Sequence, residues 1–362
     1  RRTDSLENLE IYSYIKCDDT CDDVHKKCRG VVFNDKKFII SSNGWTPEFT
    51  KNDWDEMKAY FDSDTNPIIF DSEEGCLLRL FYLDNKWHLI THKKLNAFNS
   101  RWASEHSWGD MFVKALDKTL DSFYDSLDKD KTYWFMVRHN ETNRIVCKAP
   151  STPTIYHVGT VINNVLTFDT DIGIPYPPRH NFTSLEQMVD YVEERGFDEI
   201  QGVIVFMKNS SFKLYNSEYH KYLLARGNSA SILFRYLQVR MNKDMRERLY
   251  ALYPNYLDQF DQIETRLYQV AQNITQGYIN RYHYGRYVEF PKSEFESLVR
   301  PLFKWSQENK RLNQVNFTKV MNFINEQSPK YLNFLRKKKR KFIKERPRLL
   351  KSLPEKKIEI KI

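Results

Sequence analysis

Leu77-Leu78-Arg79-Leu80-Phe81-Tyr82-Leu83-Asp84-Asn85-Lys86-Trp87-His88-Leu89-Ile90-Thr91 places two runs rich in aliphatic and aromatic residues on either side of Asp84-Asn85. Strand-forming runs around so short a turn predict an antiparallel hairpin, with strands over 77–83 and 87–91. The pattern recurs at 30–33 and 37–41 around Asn34-Asp35, and further strands are predicted at 133–137, 144–147 and 202–207. Between them, Thr183-Ser184-Leu185-Glu186 reads as a capping box, with Met188, Val189 and Val192 on one helical face and Gly196 as terminator. The first two-thirds of the chain is therefore expected to be α+β, with antiparallel sheets and flanking helices.

After Ala225-Arg226-Gly227-Asn228-Ser229 the pattern becomes helical: Phe260, Ile263, Leu267, Val270 and Ile274 recur at steps of three and four, as do apolar residues over 295–305 and 317–324. Pro254, Pro291 and Pro329 fall at helix boundaries. Three parts are expected: a domain over 1–229, an all-α domain over 230–335 and a basic tail over 336–362.

That tail carries the charge. The 362 residues have a net charge of +8, yet thirteen Lys/Arg against three Glu lie from Arg336 onward, so residues 1–335 carry about −2. Arg336, Lys337, Lys338, Lys339, Arg340 and Lys341 form a run that would neutralise phosphates by counterion release, which predicts RNA or another nucleic acid as partner. Tyr278, Tyr282, Tyr284 and Tyr287, interleaved with Arg281 and Arg286, form an arrangement able to stack bases. No stretch approaches eighteen apolar residues and the first residues lack a signal-peptide core, so no membrane association is expected and the chain is read as intracellular.

Cys17, Cys21, His25 and Cys28 have zinc-ligand chemistry, but steps of four, four and three fit one helical face, whereas a closed tetrahedral site needs a turn between ligands. They are read as reduced thiols, with no metal site, and five cysteines in this length build no disulfide framework. No glycine loop of the phosphate-binding or dinucleotide type is present, nor a G-x-S-x-G or H-E-x-x-H motif, which removes those nucleotide folds and hydrolase classes.

The order of the remaining segments is informative. Cys28-Arg29-Gly30-Val31-Val32-Phe33 is followed by Ile69-Phe70-Asp71-Ser72-Glu73-Glu74-Gly75-Cys76-Leu77, then Thr91-His92-Lys93-Lys94, Asn143-Arg144-Ile145-Val146, Gln201-Gly202-Val203-Ile204-Val205-Phe206 and Phe212-Lys213-Leu214. Over roughly 25–225 this succession resembles the phage-type ATP-dependent RNA ligases, of the superfamily that includes DNA ligases and mRNA capping enzymes. The resemblance implies a nucleotidyltransferase fold of the ligase and capping-enzyme type, unrelated to ATP-grasp, followed by a helical domain. It also implies a lysine that attacks the α-phosphate of ATP and passes AMP to an RNA end.

The same resemblance exposes departures. In the family's Lys-x-Asp-Gly, Ser72 stands for the lysine and Glu74 for the aspartate, with Gly75 retained. Val137 falls near a metal-associated acidic position, Gln201 replaces a glutamate, and of a Lys-x-Lys pair Lys213 remains while Tyr215 takes the second place. Arg29 is kept. Arg29, Ser72, Glu74, Gly75, Gln201 and Lys213 are thus the candidate nucleotide-binding residues. The expected function is a degenerate RNA-ligase-like protein that binds nucleotide or nucleic acid with lost or weakened self-adenylylation. One alternative is an active ligase using Lys94, in Lys94-Leu95-Asn96-Ala97, as relocated nucleophile, and another is a structural, virion-associated scaffold. ATP and Mg are cofactors only where activity survives. The Asn-, Lys-, Tyr- and Phe-rich composition suggests a viral source, with host cytoplasm or virion as location and viral proteins as partners.

Overall fold

The computed structural model describes residues 1–338 apart from 42–43, 65, 139–144, 209 and 310–313, together with the backbone of 344–346. It divides into two compact units, Arg1–Ala230 and Ser231–Ile362.

The described residues of the first unit form three sheets. In the first, Arg2–Leu6, Leu9–Ser13, Arg29–Asn34 and Lys37–Ile40 pair antiparallel in chain order. Its last hairpin turns on Asp35 and Lys36, at φ 45° and 69°, one residue later than Asn34-Asp35. Asp84 and Asn85, at φ 49° and 60°, occupy the expected two-residue turn, whose left-handed residues match the twist of the flanking strands.

The second sheet runs Val165–Thr167, Thr154–Ile162, Thr132–Arg138, Cys76–Leu83 and Lys86–Ile90, antiparallel throughout. Alternate side chains of a strand share a face, so Leu78, Leu80, Tyr133, Phe135 and Val137 form one apolar surface. Trp108, Met111 and Phe112 of the helix Trp108–Ala115, and Phe123 of Leu120–Asp125, cover it. Phe112 meets Phe135 edge-on at 5.1 Å, a geometry favoured by the ring quadrupoles.

The third sheet runs Arg179–His180, Ile68–Asp71, Gly202–Phe206, Ser211–Tyr215 and Glu48–Phe49, with only the last pair parallel. Leu185, Met188, Val189 and Val192 of the helix Leu185–Glu193 pack on Val203, Val205, Phe212 and Leu214. The cap of this helix sits one residue later than expected: Ser184 Oγ accepts from Gln187 N, and Thr183 N–H donates to Gln187 Oε1. The helix ends at Glu193 with right-handed Glu194 as its cap, so Gly196 does not terminate it.

One sequence expectation needs correction: residues 145–147 form bends, not a strand, and residue 144 lies outside the described residues. The second unit is helical as expected, with Phe260, Ile263, Leu267, Val270 and Ile274 of Leu257–Tyr278 all buried, and Tyr287–Glu289 adds a short antiparallel pair with Lys344–Arg346. Within it, Arg240 Nε lies 2.7 Å from Glu264 Oε1, which also accepts from Tyr236 Oη at 2.7 Å. No helix among the described residues is long and apolar enough to cross a membrane.

Gly202 opens the strand beside Ser211–Tyr215 at φ 144°, and a Cβ there would stand 1.9 Å from the Leu214 carbonyl oxygen. Backbone cannot yield as a flexible side chain does, so Gly202→Ala is expected to lower unfolding free energy by about 2 kcal/mol or more. Urea unfolding checks this, and a change within about 0.5 kcal/mol, the range of neutral surface substitutions, would reject the steric argument.

Candidate functional site

Ser72-Glu73-Glu74-Gly75 carries the chain from Ile68–Asp71 in the third sheet to Cys76–Leu83 in the second. Backbone bonds fix both ends of the link. Ser72 N–H donates to the Gly202 carbonyl at 2.8 Å, and a Cβ on Gly75 would lie 2.3 Å from the Val137 carbonyl oxygen, so only glycine allows that approach.

Side chains distant in sequence meet at this link. Ser72 Oγ donates to Gln201 Oε1 at 2.6 Å, and Lys213 Nζ donates to the same oxygen at 3.3 Å. Gln201 Nε2 donates to Tyr219 Oη at 2.7 Å, and Tyr219 bonds in turn to Glu74. Glu74 Oε1 also accepts the Val146 N–H at 2.8 Å. Ser72, Glu74 and Gln201 are all buried, so the chain of bonds operates where an unmade bond is costly.

Of the six candidate nucleotide-binding residues, the structure therefore joins Ser72, Glu74, Gln201 and Lys213 in one network, with Gly75 in its backbone. Glu74 does not present a free carboxylate. It is turned inward onto Tyr219 and the Val146 and Cys147 amides, and burial raises its pKa despite those bonds. Burial also lowers the Lys213 pKa to about 8, with Glu48 opposing and Arg29 reinforcing the effect. Arg29 donates to the Gly44 carbonyl at 3.4 Å and lines a cavity of about 710 Å³ with Tyr14, Trp45, Thr46 and Glu48. Glu48 pairs in register with Lys213 and accepts from Tyr215 Oη at 2.9 Å.

Lys94 lies elsewhere. Its ammonium is half-exposed and pairs with Asp4 Oδ1 at 3.3 Å, and its N–H caps onto Thr91 Oγ1. None of its contacts reaches Ser72, Gln201 or Lys213, so the geometry gives no support to Lys94 as nucleophile.

The charged tail divides. Arg336 and Lys337 form the last turn of the helix Pro329–Lys337, so the expected boundary at 336 falls inside an element. Lys338 Nζ lies 3.1 Å from both Ser293 Oγ and Glu294 Oε1. Lys339, Arg340 and Lys341 lie outside the described residues, as do His139, Asn143 and Arg144. The tyrosine array also divides: Tyr278 is fully buried and Tyr282 stacks on Phe303 at 4.5 Å, leaving Tyr284 and Tyr287 exposed.

Sequence reading did not single out Tyr219, Glu48 or Arg79. Arg79 is fully buried: Nη2 reaches the Thr91 carbonyl at 3.3 Å, while Nε and Nη1 have no partner among the described residues. Gly30 leaves room for it, since a Cβ there would lie 2.5 Å from Arg79 Nη2. Burial, then Arg29 and Arg79, hold His92 neutral, its pKa well below the usual imidazole range.

No family model matches the chain. It is 28% identical over 275 residues to the immediate-early protein ICP-46 homolog of Invertebrate iridescent virus 3, covering 72% of this chain and 61% of that protein. It is 22% identical over 202 residues to a protein of Autographa californica nuclear polyhedrosis virus provisionally named a bifunctional polynucleotide kinase/RNA ligase, covering 51% of this chain and 28% of that one. The chain thus spans about three-fifths of the first relative's length. Among solved structures, an archaeal ATP-dependent RNA ligase overlaps 57% of this chain and 56% of its own, at 14% identity and a TM-score of 0.37.

Gln201 joins three side chains of the network, accepting from Ser72 and Lys213 and donating to Tyr219. Gln201→Ala is expected to cost about 2–4 kcal/mol in chemical denaturation, because Lys213 and Tyr219 lose partners together, against about 1 kcal/mol for Ser72→Ala. Equal losses would show that Gln201 connects nothing.

Proposed function

We propose that the first unit is an RNA-ligase-like nucleotidyltransferase fold, in a virus-encoded protein, that holds the phosphates of a nucleotide or of RNA without forming the lysyl-nucleotide bond. One observation carries this reading. At the link between the sheets, where the resembled ligases place their lysine, a buried serine hydroxyl is committed to Gln201, in a network whose single ammonium is that of Lys213. A serine hydroxyl cannot form a phosphoramide.

The residues fit phosphate better than they fit a divalent metal. Arg29 and Lys213 supply positive charge, and the helical unit ends in basic residues. Val137, near the position expected to be metal-associated, is fully buried and apolar; of the nucleotide-binding candidates, Gln201 is neutral with its amide bonded on both sides and Glu74 faces inward. Hard cations take exposed carboxylate oxygens, and these positions supply none.

A second reading is favoured by Lys213. Its amine shares an acceptor with Ser72 and is the group nearest to replacing the missing nucleophile. In that reading the neutral amine attacks the α-phosphorus of ATP, an N–P bond forms as the P–O bond to pyrophosphate breaks, and the amine proton passes to solvent.

The two readings give opposite pH dependence through the Lys213 pKa of about 8. As a phosphate clamp Lys213 acts when charged, so binding weakens as pH rises through 8. As a nucleophile it acts when neutral, so covalent transfer strengthens over the same range. The measurement is intact mass and labelled-ATP binding from pH 7 to 9, on protein first treated with pyrophosphate to remove any bound AMP. Binding without added mass, falling with pH, is the expected result. An AMP adduct abolished by Lys213→Met would replace the first reading by the second. Absence of both ATP and RNA binding would leave a scaffold.

Folding stability gives a further check on the same group. The unfolded chain keeps its lysine proton up to about pH 10.5, while the folded chain releases it near 8. Stability should therefore rise across that window, and Lys213→Met should flatten the rise. Thermal melts buffered between these limits would show it, and an unchanged slope in the variant would assign the proton to another group.

A further inference from the structure

The loop between Leu9–Ser13 and Arg29–Asn34 does not fold as the helical face its spacing suggested. Only Asp23–Lys27 is helical, and a turn at residues 19–20 separates Cys17 from Cys21. That geometry supplies the turn between ligands whose absence argued against a metal. The Cys17 and Cys21 sulfurs and a His25 ring nitrogen lie within 4.8 Å of one another.

Several of the bonds that hold the loop in place do not use the candidate ligand atoms. Tyr14 N–H donates to the Cys28 carbonyl at 2.8 Å, closing the base. Asp18 Oδ1 accepts from Thr20 N and Thr20 Oγ1, and Asp22 Oδ1 accepts from His25 N at 2.7 Å. Lys26 Nζ donates to the Asp19 carbonyl at 2.7 Å, and its own carbonyl accepts from Trp45 N.

The histidine keeps one ring nitrogen available for ligation. Its Nε2 lies 2.9 Å from the Lys16 carbonyl oxygen, which can only accept, so Nε2 carries the proton and the neutral ring keeps its lone pair on Nδ1. A backbone carbonyl on the far nitrogen is the usual outer partner of a metal-bound imidazole. Asp18 Oδ1, 3.6 Å from Cys21 Sγ, is the neighbouring carboxylate, and Cys17 and Asp18 face the same cavity as Arg29. Cys28 caps the short helix and does not belong to the group.

We propose that Cys17, Cys21 and His25 bind one zinc ion as two thiolates and one imidazole, leaving a fourth position for water or the Asp18 carboxylate. Two sulfurs and one nitrogen select a borderline-soft divalent ion over magnesium or calcium. Binding releases the thiol protons and forms metal–sulfur bonds without any redox change. The inference stands apart from the nucleotide reading, since the loop contributes nothing to the Ser72 network.

The test is metal titration of the reduced, chelator-treated full chain. Cobalt as probe should give a thiolate charge-transfer band that saturates at one equivalent, and one equivalent of zinc should displace it. Cys17→Ser, Cys21→Ser and His25→Gln should each weaken zinc by about tenfold or more, while Cys28→Ser should leave the band intact. As a folding control, metal-free Cys17→Ser and Cys21→Ser should melt with metal-free wild type, because the base of the loop is closed by the backbone bond from Tyr14 to Cys28. Zinc should also protect Cys17 and Cys21 from alkylation, read by peptide mass. No thiolate band, or a band lost in Cys28→Ser but kept in Cys21→Ser, would overturn the proposal.

Discussion

The side-chain amide of Gln201 fixes the direction of the side-chain hydrogen bonds that link Ser72, Lys213, Tyr219 and Glu74 where the second and third sheets meet. Its oxygen accepts from Ser72 and Lys213, so its nitrogen must donate to Tyr219, whose hydroxyl is then left to donate to Glu74. Protons along the chain therefore point one way, from the amine to the carboxylate. Buried polar chains with a consistent direction polarise one another, and a single reversal leaves two donors or two acceptors facing. The link from Ser72 to Gly75 is thus held at its middle by side chains and at its ends by the close backbone approaches that Gly202 and Gly75 permit.

That ordering relates departures that look independent in the sequence. A glutamate at 201 could accept from Ser72 and Lys213 but could not donate to Tyr219, and the single tyrosine proton cannot serve carboxylates at 201 and 74 together. Two buried carboxylates sharing one donor would also raise each other's proton affinity. Glutamine at 201 therefore suits an inward carboxylate at 74, and an inward carboxylate at 74 suits a neutral serine at 72, since no lysine there has to be paired. What remains is a network in which Ser72, Gln201, Tyr219 and Glu74 satisfy one another's side-chain hydrogen bonds.

Legibility from sequence followed the locality of the physics. Asp84-Asn85 specifies its hairpin within the turn itself, and the face made by Met188, Val189 and Val192 needs only the helical period. Arg2–Leu6 was not legible because RTDSL is mostly polar and exposed, and Thr154–Ile162 breaks its alternation at a bulge near His157 and Gly159. The site was legible as a succession of segments, and four of its members do meet. Tyr219 was not, because it reaches the site from the helix Ser217–Arg226, whose orientation is set by Asn216 bonding to the Val192 and Arg195 carbonyls. Spacing alone misled at Cys17 and Cys21, where Asp18 and Asp22 favour turns that a count of intervals cannot register.

Cationic groups are unevenly matched near Arg29. Arg79 is enclosed with two guanidinium nitrogens lacking partners among the described residues, and burial followed by Arg29 lowers its proton affinity. Lys213 is lowered by burial and by the same Arg29, with Glu48 as the opposing charge. An enclosed cation without a counter-ion costs several kcal/mol, and crowding a second beside it adds to that cost. Neutral His92 avoids contributing a further charge. An anion taken up beside Arg29 would offset a cost the fold already carries, so its binding free energy includes relief of repulsion as well as direct contact. That cost arises from how the first and second sheets pack around Gly30, where Arg79 Nη2 would stand 2.5 Å from a Cβ.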